Sequence, residues 1–157
     1  MKYELVGLGH SPKVAILCPR IQPDEIIKHY GDLLSVTYPL MVCDLYQDRT
    51  KKKTSNEAIK EYLADLMPNL VNAGINFLIV TQPDYFKVLS KQAKTDATIG
   101  DIYPSIVDGI SVTYMPNYSR VFYDPEKTTA KIRIGINSVI RWMNGDKAPI
   151  GKSIIKF

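Results

Sequence analysis

The amino-acid sequence predicts an α/β fold, a three-layer α/β/α sandwich around a mostly parallel central sheet. Short apolar runs of strand length alternate along the chain with segments of helical periodicity. The runs at 13–18 and 77–80 are almost continuously apolar, which is typical of strands buried on both faces of a parallel sheet. Because 45% of the 157 residues are hydrophobic, the chain can build one domain with a sizeable core.

The first predicted strand, 13–18, is closed by Pro19. Pro23 and the two acids after it then predict a helix start, since proline suits the first turn and acids suit the positive end of the helix dipole. This helix should end by Gly31, and a second buried strand is predicted at 39–45.

The clearest predicted helix follows the second strand. Thr54 and Glu57 match a capping box, and apolar residues recur at helical spacing from there to Gly74. Gly74 stands where a left-handed residue is favoured at a helix end. Pro68 is expected to kink or interrupt the last turns, because proline lacks the N–H that an inner turn needs.

The second half of the chain continues the alternation. The strand at 77–80 leads into a helix that extends to about Ser90, and 103–114 is predicted to be a hairpin around an Asp-Gly turn. Asp124 then caps a final helix that ends at Gly145.

The predicted domain covers residues 1–146. The remaining residues, 147–157, include Pro149 and Gly151 and are predicted to form a linker. We expect this linker to lead toward a downstream domain that is absent from this chain.

The chain carries a net charge of +4 and a pI near 9.0, which is compatible with a polyanionic partner but does not require one. The densest basic run comprises Lys51, Lys52 and Lys53, between two predicted elements. A solvated loop and a loop that contacts phosphate groups both fit this run.

The sequence argues against several kinds of site. Cys18 and Cys43 are too few for a disulfide framework or a cysteine-rich metal site, and His10 and His29 have no partner at ligand spacing, so no metal or cofactor is expected. The chain has no phosphate-binding glycine loop and no dinucleotide fingerprint. No apolar run approaches the roughly 20 residues of a membrane span, and no signal peptide is evident. We therefore expect no membrane contact, and free thiols in a reducing compartment.

No catalytic residue is predicted. Ser119 has neither a neighbouring base nor a nucleophile elbow. Asp24 and Glu25 follow the first strand and Asp44 ends the second, so these acids are candidate carboxylates. Acids at the start of a helix also stabilise its dipole, which is the simpler explanation for Asp24 and Glu25.

The most specific stretch of the sequence is 110–125. It begins as an alternating strand and reaches a polar turn at 115–119, where α/β proteins usually place their chemistry. Met115 at this turn can neither donate nor accept a proton. Tyr114 and Tyr118 lie near Arg120, a composition that fits either a base-stacking surface or a protein interface.

Four segments of the chain resemble a known family. The segment 14–19 (VAILCP) is similar to the first strand and water-activating loop of uracil-DNA glycosylases, and 77–86 (FLIVTQPDYF) to their middle strand and following helix. The segment 112–119 (VTYMPNYS) is similar to the region where those enzymes carry a His-Pro-Ser motif. The segment 139–145 (VIRWMNG) resembles the closing helix of the N-terminal domain that precedes the exonuclease and polymerase domains in some bacteriophage family A DNA polymerases. The resemblance covers about 13–146 and depends on the order and spacing of these segments.

The resemblance implies a uracil-DNA glycosylase-like fold without its catalytic groups. Met115 stands where the glycosylase histidine stabilises the departing uracil, and a thioether cannot supply that hydrogen bond. The first loop offers Arg20 and no acid before Asp24, whereas an active enzyme places a carboxylate or an amide there to orient water. We therefore expect no glycosylase activity from this domain.

The expected function is that of a non-catalytic accessory domain of a phage replicative DNA polymerase, in the cytoplasm of an infected bacterial host. The domain would contact DNA or a partner, such as another replication protein, while downstream exonuclease and polymerase domains of the same polypeptide perform the chemistry. The expected contact residues are Arg20, Lys51, Lys52, Lys53, Tyr114, Met115, Asn117, Tyr118, Arg120 and Lys127.

Two alternatives stay open. A working DNA-repair glycosylase could use Asp24, Glu25 or Asp44, with Asn117 reading the base. A stand-alone α/β protein could hold a small anionic ligand at the helix start after Pro19, although no recognised phosphate loop favours it.

Overall fold

Six strands form one mixed sheet in the computed structural model, which describes residues 2–45, 55–93, 95 and 98–146. The strands are β1 (Lys2–Ser11), β2 (Val14–Cys18), β3 (Tyr38–Asp44), β4 (Phe77–Val80), β5 (Tyr103–Pro104) and β6 (Ser111–Tyr114). Their order across the sheet is β1-β3-β2-β4-β6-β5. The four inner strands are parallel to one another, and β1 and β5 pair antiparallel at the two edges. The prediction of an α/β fold with a mostly parallel central sheet is confirmed.

The described residues form four α-helices, each of which was predicted. They are α1 (Pro23–Tyr30), α2 (Asn56–Ala73), α3 (Pro83–Ser90) and α4 (Pro125–Met143). Short 3₁₀ turns follow α1 at Gly31–Ser35 and precede α4 at Tyr118–Phe122. None of these helices is both long and apolar enough to cross a membrane.

Two hydrophobic cores, one on each face of the sheet, give the three layers. Successive strand residues point to opposite faces, so Ile16 packs toward α1 and α4 while Leu17 packs toward α2 and α3. Both side chains are fully buried, and burial of each is worth about 1.5–3 kcal/mol. This explains why β2 contains no polar residue.

Helix α2 begins one residue later than the capping-box prediction requires. The Ser55 side chain accepts the backbone N–H of Ala58 at 3.2 Å, which makes Ser55 the cap. Glu57 is then the second helical residue, not the third, so the capping box is wrong. Gly74 ends the helix with φ of +86°, as predicted, because its left-handed backbone lets its N–H reach the last carbonyls.

Pro68 does not interrupt α2, which continues from Asn56 to Ala73. The expected interruption was wrong because Pro68 and Ala64, one turn earlier, both face solvent. The expected kink stays a prediction. Water can hydrate the Ala64 carbonyl that loses its intrahelical donor. The buried face of the helix therefore keeps its packing.

The N-terminal strand β1 was not predicted. It pairs with β3 from Lys2 opposite Asp44 onward, with a register shift between Val6 and Ser11. Among its residues with described burial, only Val6 is buried, so the strand lacks the apolar alternation that marks the inner strands. The predicted hairpin is present, although β5 has only two residues, and the predicted linker lies outside the described residues.

Candidate functional site

The carboxyl ends of the parallel strands define the candidate site. Because β3 and β4 lie on opposite sides of β2, the chain changes direction in the sheet between β2 and β4, which is where open α/β sheets form a crevice. Three connections meet at this edge: 19–22 after β2, 81–82 after β4 and 115–117 after β6. We call these connections the carboxyl-edge loops.

Backbone hydrogen bonds join the ends of these strands. The N–H and the hydroxyl of Thr81 both donate to the Leu17 carbonyl, at 3.1 and 2.8 Å. The N–H of Leu45 donates to the Cys18 carbonyl at 2.8 Å. The carbonyls of Leu17 and Cys18 thus already have donors within the protein.

Met115 fills the space behind the loop that follows β6. Its side chain is 0% exposed and lies in the core beneath α1 and α4. A Cβ placed on Gly135 of α4 would lie 2.7 Å from Met115 Cε and 3.2 Å from its Cβ, so only glycine lets the helix approach this closely. Side chains therefore occupy the space at Met115.

Tyr118 is held against α1 and is only 6% exposed. Its ring stacks on His29 with centroids 5.4 Å apart and 9° between the planes. Its hydroxyl is hydrogen-bonded to the Gln22 side chain, and its backbone N–H donates to the Tyr30 hydroxyl at 2.9 Å. Tyr118 therefore fastens the loop after β6 to the first helix.

The two thiols near this edge are poor nucleophiles. The Cys18 Sγ donates to the Arg20 carbonyl at 3.3 Å and is buried. Burial raises the pKa of Cys18 from 9.0 to about 12, and burial likewise raises the pKa of Cys43 to about 12. Both side chains are therefore neutral thiols near pH 7, and a thiolate is needed for nucleophilic attack or metal binding.

The expected contact residues separate into buried and exposed groups. Tyr114, Met115 and Tyr118 are buried, so their side chains offer little surface to a partner. Arg20, Arg120 and Lys127 are exposed, and Asn117 is half-buried. The expected contacts at Lys51, Lys52 and Lys53 lie outside the described residues.

Two exposed aromatic residues were not among the expected contacts. Phe122 and Tyr123 are 88% and 87% exposed at the end of the 3₁₀ turn before α4. Arg120 and Lys127, on either side of them in the chain, form no ion pair with another described residue. No local pattern in the sequence marked this pair as exposed, since Tyr85 and Phe86 are also adjacent aromatics and both are buried in α3.

Asn117 has an unused hydrogen-bonding atom. Its Nδ2 donates to the Ser119 hydroxyl at 2.7 Å, while its buried Oδ1 has no partner within the described part of the chain. Buried polar atoms in folded proteins are almost always satisfied. Asn117 can therefore accept one further donor at the carboxyl-edge loops.

The candidate carboxylates do not converge on one point. Asp24 is exposed in the first turn of α1, whereas Glu25 lies 3.2 Å from His29 Nε2 on the same helix. The backbone carbonyl of Asp44 accepts the Tyr62 hydroxyl at 2.8 Å on the other face of the sheet. Within the described residues, no three His, Cys, Asp or Glu side chains group as ligands for a metal ion.

No protein-family model matches this chain, and no curated protein matches it significantly.

Proposed function

We propose that this chain is a non-catalytic accessory domain of a phage replicative DNA polymerase and that it binds single-stranded DNA beside the carboxyl-edge loops. The observation that carries the proposal is the exposed pair Phe122 and Tyr123. The cations on either side of this pair in the sequence, Arg120 and Lys127, form no ion pair with another described residue. Arg20, in the loop after β2, is the third exposed cation of this surface.

Phe122 and Tyr123 expose large aromatic rings to water. A protein gains free energy by burying such rings, so an adjacent exposed pair favours a partner with flat apolar faces. Nucleic-acid bases have such faces, and stacking on an aromatic side chain is worth about 1–3 kcal/mol per base. Exposed Arg120 and Lys127 can neutralise the phosphates between stacked bases.

The absence of a catalytic role is supported by the groups beneath this surface. Met115 has no proton to transfer, and the buried Cys18 thiol is neutral near pH 7 because burial raises its pKa to about 12. The hydroxyl of Tyr30 is also kept protonated, because burial raises its pKa well above 10.0. Binding without chemistry is the function that these residues support best.

The polymerase part of the proposal comes from the four segments that resemble glycosylase-like domains of phage polymerases. Their order along a mostly parallel sheet supports a uracil-DNA glycosylase-like fold. The exonuclease and polymerase domains would then follow this domain in the same polypeptide, inside an infected bacterium. The exposed pair Phe122 and Tyr123 could also bind a second replication protein.

The test is fluorescence anisotropy with a labelled single-stranded oligonucleotide at low and moderate salt. Substitution of both Phe122 and Tyr123 by Ala should weaken binding at least tenfold, since each removes a stacking surface. Tyr3→Ala is the matched control, because Tyr3 is an exposed aromatic on edge strand β1. The proposal is overturned if the unsubstituted domain does not bind DNA at low salt, or if the double variant binds as well as the control.

A second candidate, a DNA-repair glycosylase, is favoured by the unused acceptor on Asn117. A base presents N–H donors that this oxygen could accept. Release of uracil from single-stranded DNA, abolished by Asn117→Ala, would support this candidate. The absence of uracil release from the unsubstituted domain would exclude uracil as its substrate.

A further inference from the structure

A small cleft lies between α1 and α4, separate from the exposed aromatic pair. Its volume is about 120 Å³, below the roughly 300 Å³ at which pockets for drug-sized ligands begin. Its polar lining residues are Lys28, His29, Asp32, Thr129, Arg133 and Asn137. The cleft is thus sized for a small polar group.

The lining carries more positive than negative side chains. Lys28 and Arg133 contribute two positive charges, and Asp32 contributes one negative charge. None of the three forms an ion pair with another described residue. These cations are therefore available to a ligand.

We propose that this cleft binds a phosphate group. Arg133 can donate two parallel N–H bonds to phosphate oxygens, and Lys28 adds a second charge. Thr129 and Asn137 each lie four residues, about one helical turn, from Arg133 along α4, so they place further donors on the same helix face. Across the cleft, these donors lie opposite the C-terminal end of α1.

Arg133 must carry most of the affinity. The last carbonyls of α1 repel an anion, because a helix C-terminus carries partial negative charge. The carboxylate of Asp32, which also lines the cleft, repels an anion through its own negative charge. Only the two cations offset that repulsion. Loss of Arg133 should accordingly reduce phosphate affinity more than loss of a single phosphate contact on an open surface.

The phosphate could be free or part of a nucleic-acid backbone. His29 lines the cleft and stacks on Tyr118, the first residue of the 3₁₀ turn that carries Arg120 and Phe122. The cleft therefore lies on the same side of the sheet as the surface proposed to bind DNA. The phosphate site itself does not depend on that proposal.

The experiment is a ¹H–¹⁵N NMR titration of the whole chain with inorganic phosphate, followed by the same titration with an unphosphorylated single-stranded oligonucleotide. Phosphate should shift the amide signals of 28–32 and 129–137, and Arg133→Gln should weaken that binding at least tenfold. Lys28→Gln should weaken it less. Lys60→Gln, an exposed lysine on α2 across the sheet, is the matched control and should bind as the unsubstituted chain does.

Each outcome decides the proposal. Shifts with free phosphate identify a site for the small anion, and shifts at the same residues with the oligonucleotide alone identify a backbone phosphate as the ligand. The proposal is overturned if neither titrant shifts these signals, or if Arg133→Gln binds as tightly as Lys60→Gln. Failure of the unsubstituted chain to bind the oligonucleotide would overturn the DNA proposal but leave the result with inorganic phosphate unaffected, so the two proposals fail separately.

Discussion

The buried hydroxyl of Tyr30 bridges the two ends of the loop that follows β6. It accepts the backbone N–H of Tyr118 at 2.9 Å and donates to the Pro116 carbonyl at 3.3 Å. Tyr30 belongs to α1, more than 80 residues earlier in the chain, and is fully buried. A single phenol thus positions the loop that leads to the exposed surface at Arg120, Phe122 and Tyr123.

Tyr30→Phe should lower the free energy of unfolding by about 1–3 kcal/mol, because it leaves a buried N–H and a buried carbonyl without partners. Urea denaturation measures the change. Tyr123→Phe removes a hydroxyl from an exposed ring and should change stability by less than about 0.5 kcal/mol. Equal stabilities for the two variants would show that the Tyr30 bridge is energetically unimportant.

Gly135→Val should destabilise the protein by about 1–3 kcal/mol, because its side chain would overlap Met115. Met115→Ala should cost about 2–5 kcal/mol by opening a cavity. The double variant should lose less than the sum of the two, by at least about 0.5 kcal/mol, since each substitution compensates for the other. Urea denaturation of all four proteins completes the cycle.

Ala130→Val is the control for that cycle. Ala130 is exposed on the same helix, so the substitution costs only helix propensity, about 0.6 kcal/mol. Strict additivity of the Gly135 and Met115 substitutions would contradict the close packing of these two residues.

The stability should fall as pH rises above 9, because of the two buried thiols. In the unfolded chain both thiols ionise near pH 9.0, whereas burial raises the pKa of each in the folded protein to about 12. Between these values the unfolded state binds fewer protons than the folded state, so the free energy of unfolding decreases with pH. From pH 8 to pH 10 the loss should be roughly 1 kcal/mol for each thiol.

Urea denaturation at pH 8 and pH 10 measures this loss. The Cys18→Ala and Cys43→Ala double variant is less stable at both pH values but should lose less between them. Tyrosines that ionise near pH 10 contribute equally to both proteins and cancel in the comparison. An identical pH dependence in the variant would mean that the thiols ionise as readily in the folded state as in the unfolded chain.

The salt dependence of DNA binding should distinguish phosphate contacts from stacking. Arg20→Gln, Arg120→Gln and Lys127→Gln should each reduce the slope of log K against log salt by about 0.7, the value for one contact with a single strand. Phe122→Ala should weaken binding with little change in slope, because a stacked base releases no counterion. Anisotropy titrations at several salt concentrations give both quantities. Unchanged slopes in the three charge variants would show that these cations do not contact DNA phosphates and would contradict their proposed role.

Local signals in the sequence were sufficient for the inner strands and the helices. The buried strand β2 is encoded by an apolar run at 14–18, and α1 and α4 each begin with proline followed by an acid. These patterns involve residues close together in the chain, so they can be recognised without coordinates. Edge strand β1 lacked such a signal, because its alternate residues are not buried. The strand forms through its backbone pairing with β3. Its register depends on contacts with residues 27 to 42 positions away.

The sequence by itself determined the residue types available for function: Met115 at the turn after β6, nearby cations such as Arg120 and Lys127, and the tyrosines at 114, 118 and 123. Only the tertiary structure decided which of them face a partner. Tyr114 and Tyr118 lie close in sequence to Phe122 and Tyr123. The first two are nevertheless buried, whereas the last two are exposed. Tyr118 is enclosed by Tyr30 and His29 of α1 and by Gln22, the residue before that helix. Residues so distant in the chain leave no local pattern.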